Sequence, residues 1–411
     1  MNKLSVFINQ DQVGCLWLDA QHRFCFQYHP DWLAASHAYP LSISLPLMDQ
    51  PFINDAAYAY FTNLLPEGQV LTALTRRLGI AESDKFNLLR AVGGDCAGAV
   101  SLHPWGTSPP SPEDFAYDPL TQDLLLEKIH DLKTNPFLVA EERRLSLAGA
   151  MEKLPVRIMD ETVCLPCNGA PTTHIIKTPV EDLQGVITNE TYCMTLAREM
   201  GLNVPRVEIL KIHGMALFAV ERYDREIEKD TVTRLVQEDF CQALNKDPQQ
   251  KYNLDLNDYF QLLRDVSAHP AQDIKQLLQW LIFNGLIGNA DCHAKNISLL
   301  HRENGTRLAP FYDLVSTHMY REFTKKMPMK IADKKRDFRH LQARHFESLA
   351  QEIGLKPDLV INTAREWARA IKPVCLKTGE TFKAAQTSVD MVDRINALIH
   401  NHADAVLDAL G

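Results

Sequence analysis

The chain has 411 residues, a formal net charge of −9 at pH 7 and 45% hydrophobic residues, which is ordinary for a globular protein of two or three domains. This negative charge argues against direct nonspecific DNA binding, which depends on neutralising phosphates. The sequence shows no signal-peptide pattern and no run of about eighteen apolar residues, and its nine cysteines favour reduced thiols, so we expect a cytoplasmic protein with no membrane span.

Residues 1–103 are predicted to form a subdomain of short strands and helices. Apolar and β-branched runs predict a hairpin and a third strand at 6–9, 14–18 and 24–28, and helical periodicity predicts helices at 56–65 and 69–78. The Pro-rich stretch 104–112 marks the clearest boundary in the chain.

The next segment, residues 117–226, is predicted to hold a second set of strands and one helix. Residues 172–177 are rich in β-branched side chains and predict a strand that ends in Lys177. Residues 215–224 predict an apolar strand that breaks into polar residues, as a hinge would. A helix is predicted over 190–200, closed by Gly201.

Residues 227–411 are predicted to be mostly helical, including a terminal helix over 389–410 whose apolar positions recur at helical spacing. A hairpin interrupts the helices, with a turn signal at Asn304-Gly305 and a returning strand over 308–312.

The most informative residues lie between an apolar helical stretch at 277–283 and this hairpin. Asp291 is followed five residues later by Asn296, and Asp313 lies about twenty residues beyond. A protein kinase uses this spacing to place a carboxylate at the attacking hydroxyl and two ligands on Mg²⁺. The alternative is a solvated loop whose Asp and Asn bind their own backbone. The density of polar residues between two apolar segments favours catalysis.

Residues that could contact a nucleotide lie upstream. Small residues at 148–150 would let backbone N–H groups approach a phosphate, although no Walker A sequence occurs. Lys177 would pair with nucleotide phosphates, or would be an edge-strand charge that blocks aggregation. Glu190 would pair with Lys177, or would be an ordinary acid at a helix N-terminus.

These motifs, taken in order, resemble the HipA-type serine/threonine kinase toxins of bacterial type II toxin–antitoxin modules. The resemblance is carried by residues 63–68, 93–99, 146–150, 152–153, 173–177, 189–190, 201–205, 220–225, 237–239, 288–296 and 310–313. Met151 is a departure, since the family usually carries Gln there.

The resemblance implies an α+β, protein-kinase-like two-lobed fold. It divides the chain into a HipA-type N-terminal subdomain (1–103), a kinase N-lobe with phosphate loop, ATP lysine and hinge (117–226), and a mostly helical C-lobe with the catalytic loop (227–411). Together the first two parts make a mixed α/β N-terminal lobe that carries an extra subdomain.

The resemblance also assigns roles to individual residues, with ATP and Mg²⁺ as cofactors. Asp291 would be catalytic, and Asn296 and Asp313 would bind the metal. ATP would contact Ala148, Gly149, Ala150, Lys153, Lys177, Glu221, Tyr223, His293 and Asp313. Ser146 would be autophosphorylated, which would inactivate the kinase, because the added charge would repel ATP phosphates. The alternative for Ser146 is a structural turn residue.

The expected activity is phosphorylation of a protein Ser/Thr that inhibits growth, on a component of the translation machinery such as an aminoacyl-tRNA synthetase. The expected partner is a HipB-like helix-turn-helix antitoxin, through which DNA would be reached indirectly. Two alternatives stay open: a small-molecule kinase on the same scaffold, and a co-repressor that acts mainly through its complex with the antitoxin.

Overall fold

The structure of the chain, a computed structural model, describes residues 3–134, 153–180, 182–229, 231–384 and 389–411. Several predicted phosphate-loop positions lie outside the described residues: Ser146, Ala148, Gly149, Ala150 and Met151. Lys153 is the first described position after them.

The N-terminal unit spans residues 3–104. Its elements are β1 (Lys3–Ile8), β2 (Asp11–Leu18), β3 (Phe24–Tyr28), α1 (Pro30–Ala34), β4 (Phe52–Ile53), α2 (Asp55–Thr62), α3 (Gly68–Leu78), α4 (Lys85–Val92) and β5 (Val100–Pro104). The strands form an antiparallel sheet in the order β4-β3-β2-β1-β5. Phe26, Tyr60 and Phe61 are fully buried between this sheet and its helices. The predicted hairpin, third strand and two helices are confirmed to within a few residues.

A six-stranded antiparallel sheet follows. Its unit contains β6 (Ala116–Pro119), α5 (Gln122–Thr134), β7 (Lys153–Met159), β8 (Thr162–Cys167), β9 (His174–Lys177), α6 (Val186–Glu199), β10 (Val207–Ile212) and β11 (Met215–Glu221). The strand order is β10-β11-β9-β7-β8-β6. Because β9 pairs with β11 on one side and β7 on the other, Lys177 does not lie on an edge strand, and that alternative was wrong.

The remaining residues are mainly helical and bury the largest apolar cluster, around Trp280 and Phe283. Their elements are β12 (Arg225–Glu228), β13 (Thr231–Arg234), β14 (Val236–Asp239), α7 (Phe240–Ala243), α8 (Leu256–Val266), α9 (Pro270–Ile287), β15 (Ser298–Arg302), β16 (Gly305–Leu308), β17 (Lys330–Ile331), β18 (Lys334–Lys335), α10 (Ala343–Glu352), α11 (Pro357–Ala384) and α12 (Val389–Leu410). None of the described helices is long and apolar enough to cross a membrane.

Two predicted boundaries were wrong because tertiary contacts set them. Helix α6 begins at Val186 rather than near residue 190, since Gly185 adopts a left-handed conformation and Asn189 binds the backbone of Ser316. The strand that returns from β15 is Gly305–Leu308 rather than 308–312, because pairing starts directly at Gly305. Phe311 then leaves the sheet and donates its N–H to the carbonyl of Asn203.

Candidate active site

The loop that carries Asp291 begins where α9 ends. Gly288 caps this helix in a left-handed conformation, and a Cβ there would lie 2.7 Å from the His318 ring. The side-chain oxygen of Asn289 accepts the N–H of Asp291 at 3.0 Å. The side-chain nitrogen of Asn296 donates to the Asp291 carbonyl at 2.9 Å. The two amides therefore fix the backbone on both sides of the predicted catalytic carboxylate.

Among the described residues, one oxygen of the Asp291 carboxylate accepts a hydrogen bond. The hydroxyl of Tyr252 donates to Oδ1 at 2.5 Å, while the side chain as a whole remains 41% exposed. Partial burial raises the pKa of Asp291, and the hydrogen bond from Tyr252 opposes that effect. The second oxygen is thus the one that can face an acceptor hydroxyl.

His293 packs beside this pair, with its ring edge-on to Tyr252 at a centroid distance of 4.9 Å. Burial, with the nearby charge of Lys251, lowers the pKa of His293 to about 3, so the ring is neutral. Its Nδ1 is buried and has no hydrogen-bond partner among the described residues. Such an orphaned atom is the kind of group that a ligand would satisfy.

Lys177 joins two carboxylates in a buried ion cluster. Its Nζ lies 2.6 Å from Glu190 Oε1 and also donates to Asp313 Oδ1. Burial opposes the charge on Lys177, but Asp313 and Glu190 outweigh it and raise the pKa of Lys177. The pair with Glu190 decides between the two alternatives for that residue: Glu190 is the partner of Lys177.

Asp313 follows Tyr312 in a left-handed backbone conformation, with φ of 54°, which Asp tolerates better than most residues. Although burial opposes ionisation, Lys177 and then Lys153 depress the pKa of Asp313, so it is a carboxylate at neutral pH. Lys153 stands opposite Lys177 in the β7–β9 register. Among the described residues, the cluster therefore joins two cations to two anions.

Glu221 and Tyr223 occupy the end of β11 and the turn after it. The Glu221 N–H donates to the Arg206 carbonyl at 3.0 Å, and its side chain is 43% exposed. The Tyr223 ring stacks on Tyr312 at 5.3 Å between centroids. This stack connects the predicted hinge to the residue before Asp313.

Sequence reasoning missed several residues at this site. Tyr252 and Lys251 lie in a polar turn before α8 that carries no motif. Lys295 is buried and its ammonium contacts Asn63, Glu67 and Asp239. All four residues lie in motifs that resemble the family, but the sequence assigned no role to any of them.

The chain matches two family descriptions over most of its length. Residues 145–375 match the HipA-like C-terminal domain, and residues 4–103 match the HipA N-terminal domain. A putative kinase of Sinorhizobium fredii is 37% identical over 393 residues, covering 92% of this chain and 93% of that protein. The serine/threonine-protein kinase toxin HipA of Shewanella oneidensis is 31% identical over 386 residues, covering 90% and 87%.

A solved structure of a HipA protein has the same fold as this chain. HipA in the Shewanella oneidensis complex of HipA, HipB and operator DNA superposes with a TM-score of 0.84, at 27% identity, over 98% of this chain and 99% of that one. The predicted α+β, two-lobed protein-kinase-like fold is therefore confirmed. The chain belongs to the HipA family of serine/threonine-protein kinases.

Proposed function

We propose that the chain is a cytoplasmic, ATP-dependent kinase that phosphorylates a Ser or Thr of a protein and thereby acts as a growth-inhibiting toxin. The observation that carries this proposal is that the predicted ATP lysine and the predicted catalytic loop lie in contact through Asp313. Lys177, paired with Glu190, contacts Asp313, and Tyr312 binds the backbone of Lys295 beside Asn296. Asn296 in turn holds the Asp291 backbone. The residues proposed to hold the metal, the phosphates and the acceptor hydroxyl thus belong to one connected network.

The donor atoms in this network fit magnesium and a nucleotide. Mg²⁺ prefers oxygen ligands, and Asp313 offers a carboxylate. Asn296 donates from its amide nitrogen to Asp291, which leaves its amide oxygen for a metal. When bound, Mg·ATP would supply the phosphoryl group and neutralise part of its charge. Lys177 and Lys153 would bind phosphates, and the orphaned Nδ1 supports a place for His293 beside the nucleotide.

Each remaining residue would act on position or on a proton. Asp291 would accept the proton of the acceptor hydroxyl on the oxygen that Tyr252 leaves open. Backbone groups between Glu221 and Tyr223 would bind the adenine edge, and the stack of Tyr223 on Tyr312 supports a stiff hinge there. We assign residues 1–103 to an accessory subdomain, 117–226 to the kinase N-lobe and 227–411 to the C-lobe.

The proposed partner is a HipB-like helix-turn-helix antitoxin. The Shewanella HipA was solved with HipB and operator DNA. The net charge of −9 supports DNA contact through the antitoxin rather than through this chain. The proposed substrate is a component of the translation machinery, such as an aminoacyl-tRNA synthetase.

A phosphoproteome recorded after induced expression tests the proposed activity. We expect new phosphoserine or phosphothreonine on a small set of proteins and arrested growth, both absent when Asp291→Asn is expressed to the same level. Phosphorylation of metabolites alone would favour a small-molecule kinase. Repression without any phosphoryl transfer would favour a co-repressor.

We further propose that autophosphorylation at Ser146 inactivates the kinase. A phosphate there would add nearly two negative charges next to the segment 148–150, where ATP would bring its own phosphates. Ser146→Ala should therefore start at the wild-type rate but keep its activity over time, whereas the wild-type protein should decline. Mass spectrometry and ATP titration after incubation with Mg·ATP check this. No phosphate gained at Ser146, or equal ATP affinity of both forms, would overturn it.

A further inference from the structure

We propose that Asn63 and Glu67 of the N-terminal unit are positioning residues of the phosphoryl-transfer site. They hold two lysines, Lys295 and Lys251, on the segments that carry the catalytic and metal-binding groups. The inference rests on the proposed kinase function and deepens it. It makes the N-terminal unit a working part of the active site, not only an appended domain.

Lys295 depends on Asn63 for most of its hydrogen bonds. Its Nζ donates to the Asn63 carbonyl at 3.1 Å, to Asn63 Oδ1 at 2.8 Å and to Asp239 Oδ2 at 2.8 Å. An ammonium has three N–H donors, so Asn63 accepts two of the three. Asn63 is itself 2% exposed, and its amide nitrogen donates to the carbonyls of Ala59 and Lys246. The acceptor is therefore rigid.

Glu67 supplies the charge that this cluster needs. Its Oε2 lies 2.6 Å from Lys251 Nζ, and its Oε1 lies 3.5 Å from Lys295 Nζ. Glu67 and Asp239 together carry two negative charges, which offset the two positive charges of Lys251 and Lys295. Removing one partner of a buried pair leaves an uncompensated charge, which is strongly unfavourable. Without Glu67, we expect at least one of these two lysines to shift toward water.

Movement of either lysine would displace residues that contact the proposed catalytic groups. The Lys295 carbonyl accepts a hydrogen bond from the Tyr312 hydroxyl at 2.7 Å. Lys295 is therefore linked to Asn296, the next residue in the chain, and through Tyr312 to Asp313. The Lys251 carbonyl accepts the Ala294 N–H at 3.2 Å, and the next residue, Tyr252, binds Asp291. A displacement of about 1 Å in such groups can cost about a hundredfold in rate.

The competing explanation is that these contacts merely attach the N-terminal unit to the rest of the chain. Asn9 provides a matched control, because its side-chain nitrogen also crosses between units, donating to the Arg234 carbonyl at 3.1 Å. Arg234 lies on β13, and its side chain contacts the Gly169 carbonyl and Asp95, neither of which has a proposed catalytic role. Asn9 has φ of 53°, so glycine can replace it without backbone strain.

The experiment compares full-length Glu67→Gln, Asn63→Ala, Glu67→Asp and Asn9→Gly with the wild-type protein. Glu67→Gln and Asn63→Ala should lower kcat by about tenfold or more and weaken Mg·ATP binding, with metal-free ATP affinity unchanged. Hydrogen–deuterium exchange should rise across residues 289–297. Glu67→Asp should restore part of the rate, and Asn9→Gly should resemble the wild-type protein in every assay.

Wild-type rates and unchanged exchange in Glu67→Gln would overturn the inference, as would a faster enzyme. If Asn9→Gly loses the same activity as the two test variants, attachment alone explains the effect. Glu67→Gln is nearly isosteric and serves as the decisive variant if Asn63→Ala does not fold. Should the wild-type chain transfer no phosphate, the proposed function fails, while exchange across 289–297 still decides whether Glu67 and Asn63 hold the loop.

Discussion

Asp291→Asn should reduce phosphoryl transfer by about a hundredfold or more, the usual contribution of a positioned acid–base group, while preserving the fold. The amide is nearly isosteric with the carboxylate, and Tyr252 can still donate to its oxygen. The amides of Asn289 and Asn296 bind the backbone of residue 291, so the loop should keep its conformation. What is lost is the group proposed to take the proton of the acceptor hydroxyl.

Single-turnover kinetics measures the loss of phosphoryl transfer, and calorimetric ATP titration on the same preparation measures whether ATP binding is preserved. ATP affinity should stay close to the wild-type value, and induced expression should no longer arrest growth. Asp265→Asn, a change on the exposed face of α8, is the control for an arbitrary loss of one negative charge. An Asp291→Asn enzyme that retains more than about a tenth of the wild-type rate would contradict the assigned role.

Local sequence patterns were enough to predict several helices and strands, and to propose where the catalytic loop lies. The spacing of Asp291, Asn296 and Asp313 is a short-range property, and the terminal helix over 389–410 follows from apolar positions at helical spacing. The strand that ends at Lys177 was equally readable from its β-branched residues. In each case, the residues that carry the pattern lie within one element or a short stretch of the chain.

Long-range partners were not predictable in this way. Tyr252 lies 39 residues before Asp291, and Asn63 lies 232 residues before Lys295. The local sequence of a polar turn does not indicate which distant carboxylate its tyrosine will bind. Asn189 shows the same limit, because a residue suited to a helix start instead binds the backbone of Ser316 inside the protein. Tertiary pairing decided these positions.

The ion cluster around Lys177 predicts a selective loss in Asp313→Ala. Of its two cations and two anions, the variant removes one anion that would also bind Mg²⁺. Changes in even the outer shell of a metal site commonly cost tenfold to a hundredfold in metal affinity, so Mg·ATP affinity should fall by more than about tenfold. Metal-free ATP should bind as well as before or more tightly, because Lys153 and Lys177 then lose one of the carboxylates that offset their charge.

Backbone strain has to be separated from the loss of the carboxylate, because residue 313 has φ of 54°. Asn tolerates this left-handed conformation better than Ala, so Asp313→Asn keeps the turn and the shape but not the charge. Both variants should lose Mg·ATP binding to a similar extent, and Asp313→Ala should in addition be less stable to thermal unfolding. Calorimetric titration with and without Mg²⁺ distinguishes the alternatives. Equal losses of Mg·ATP and metal-free ATP affinity in Asp313→Asn would mean that Asp313 organises Lys177 and does not bind the metal.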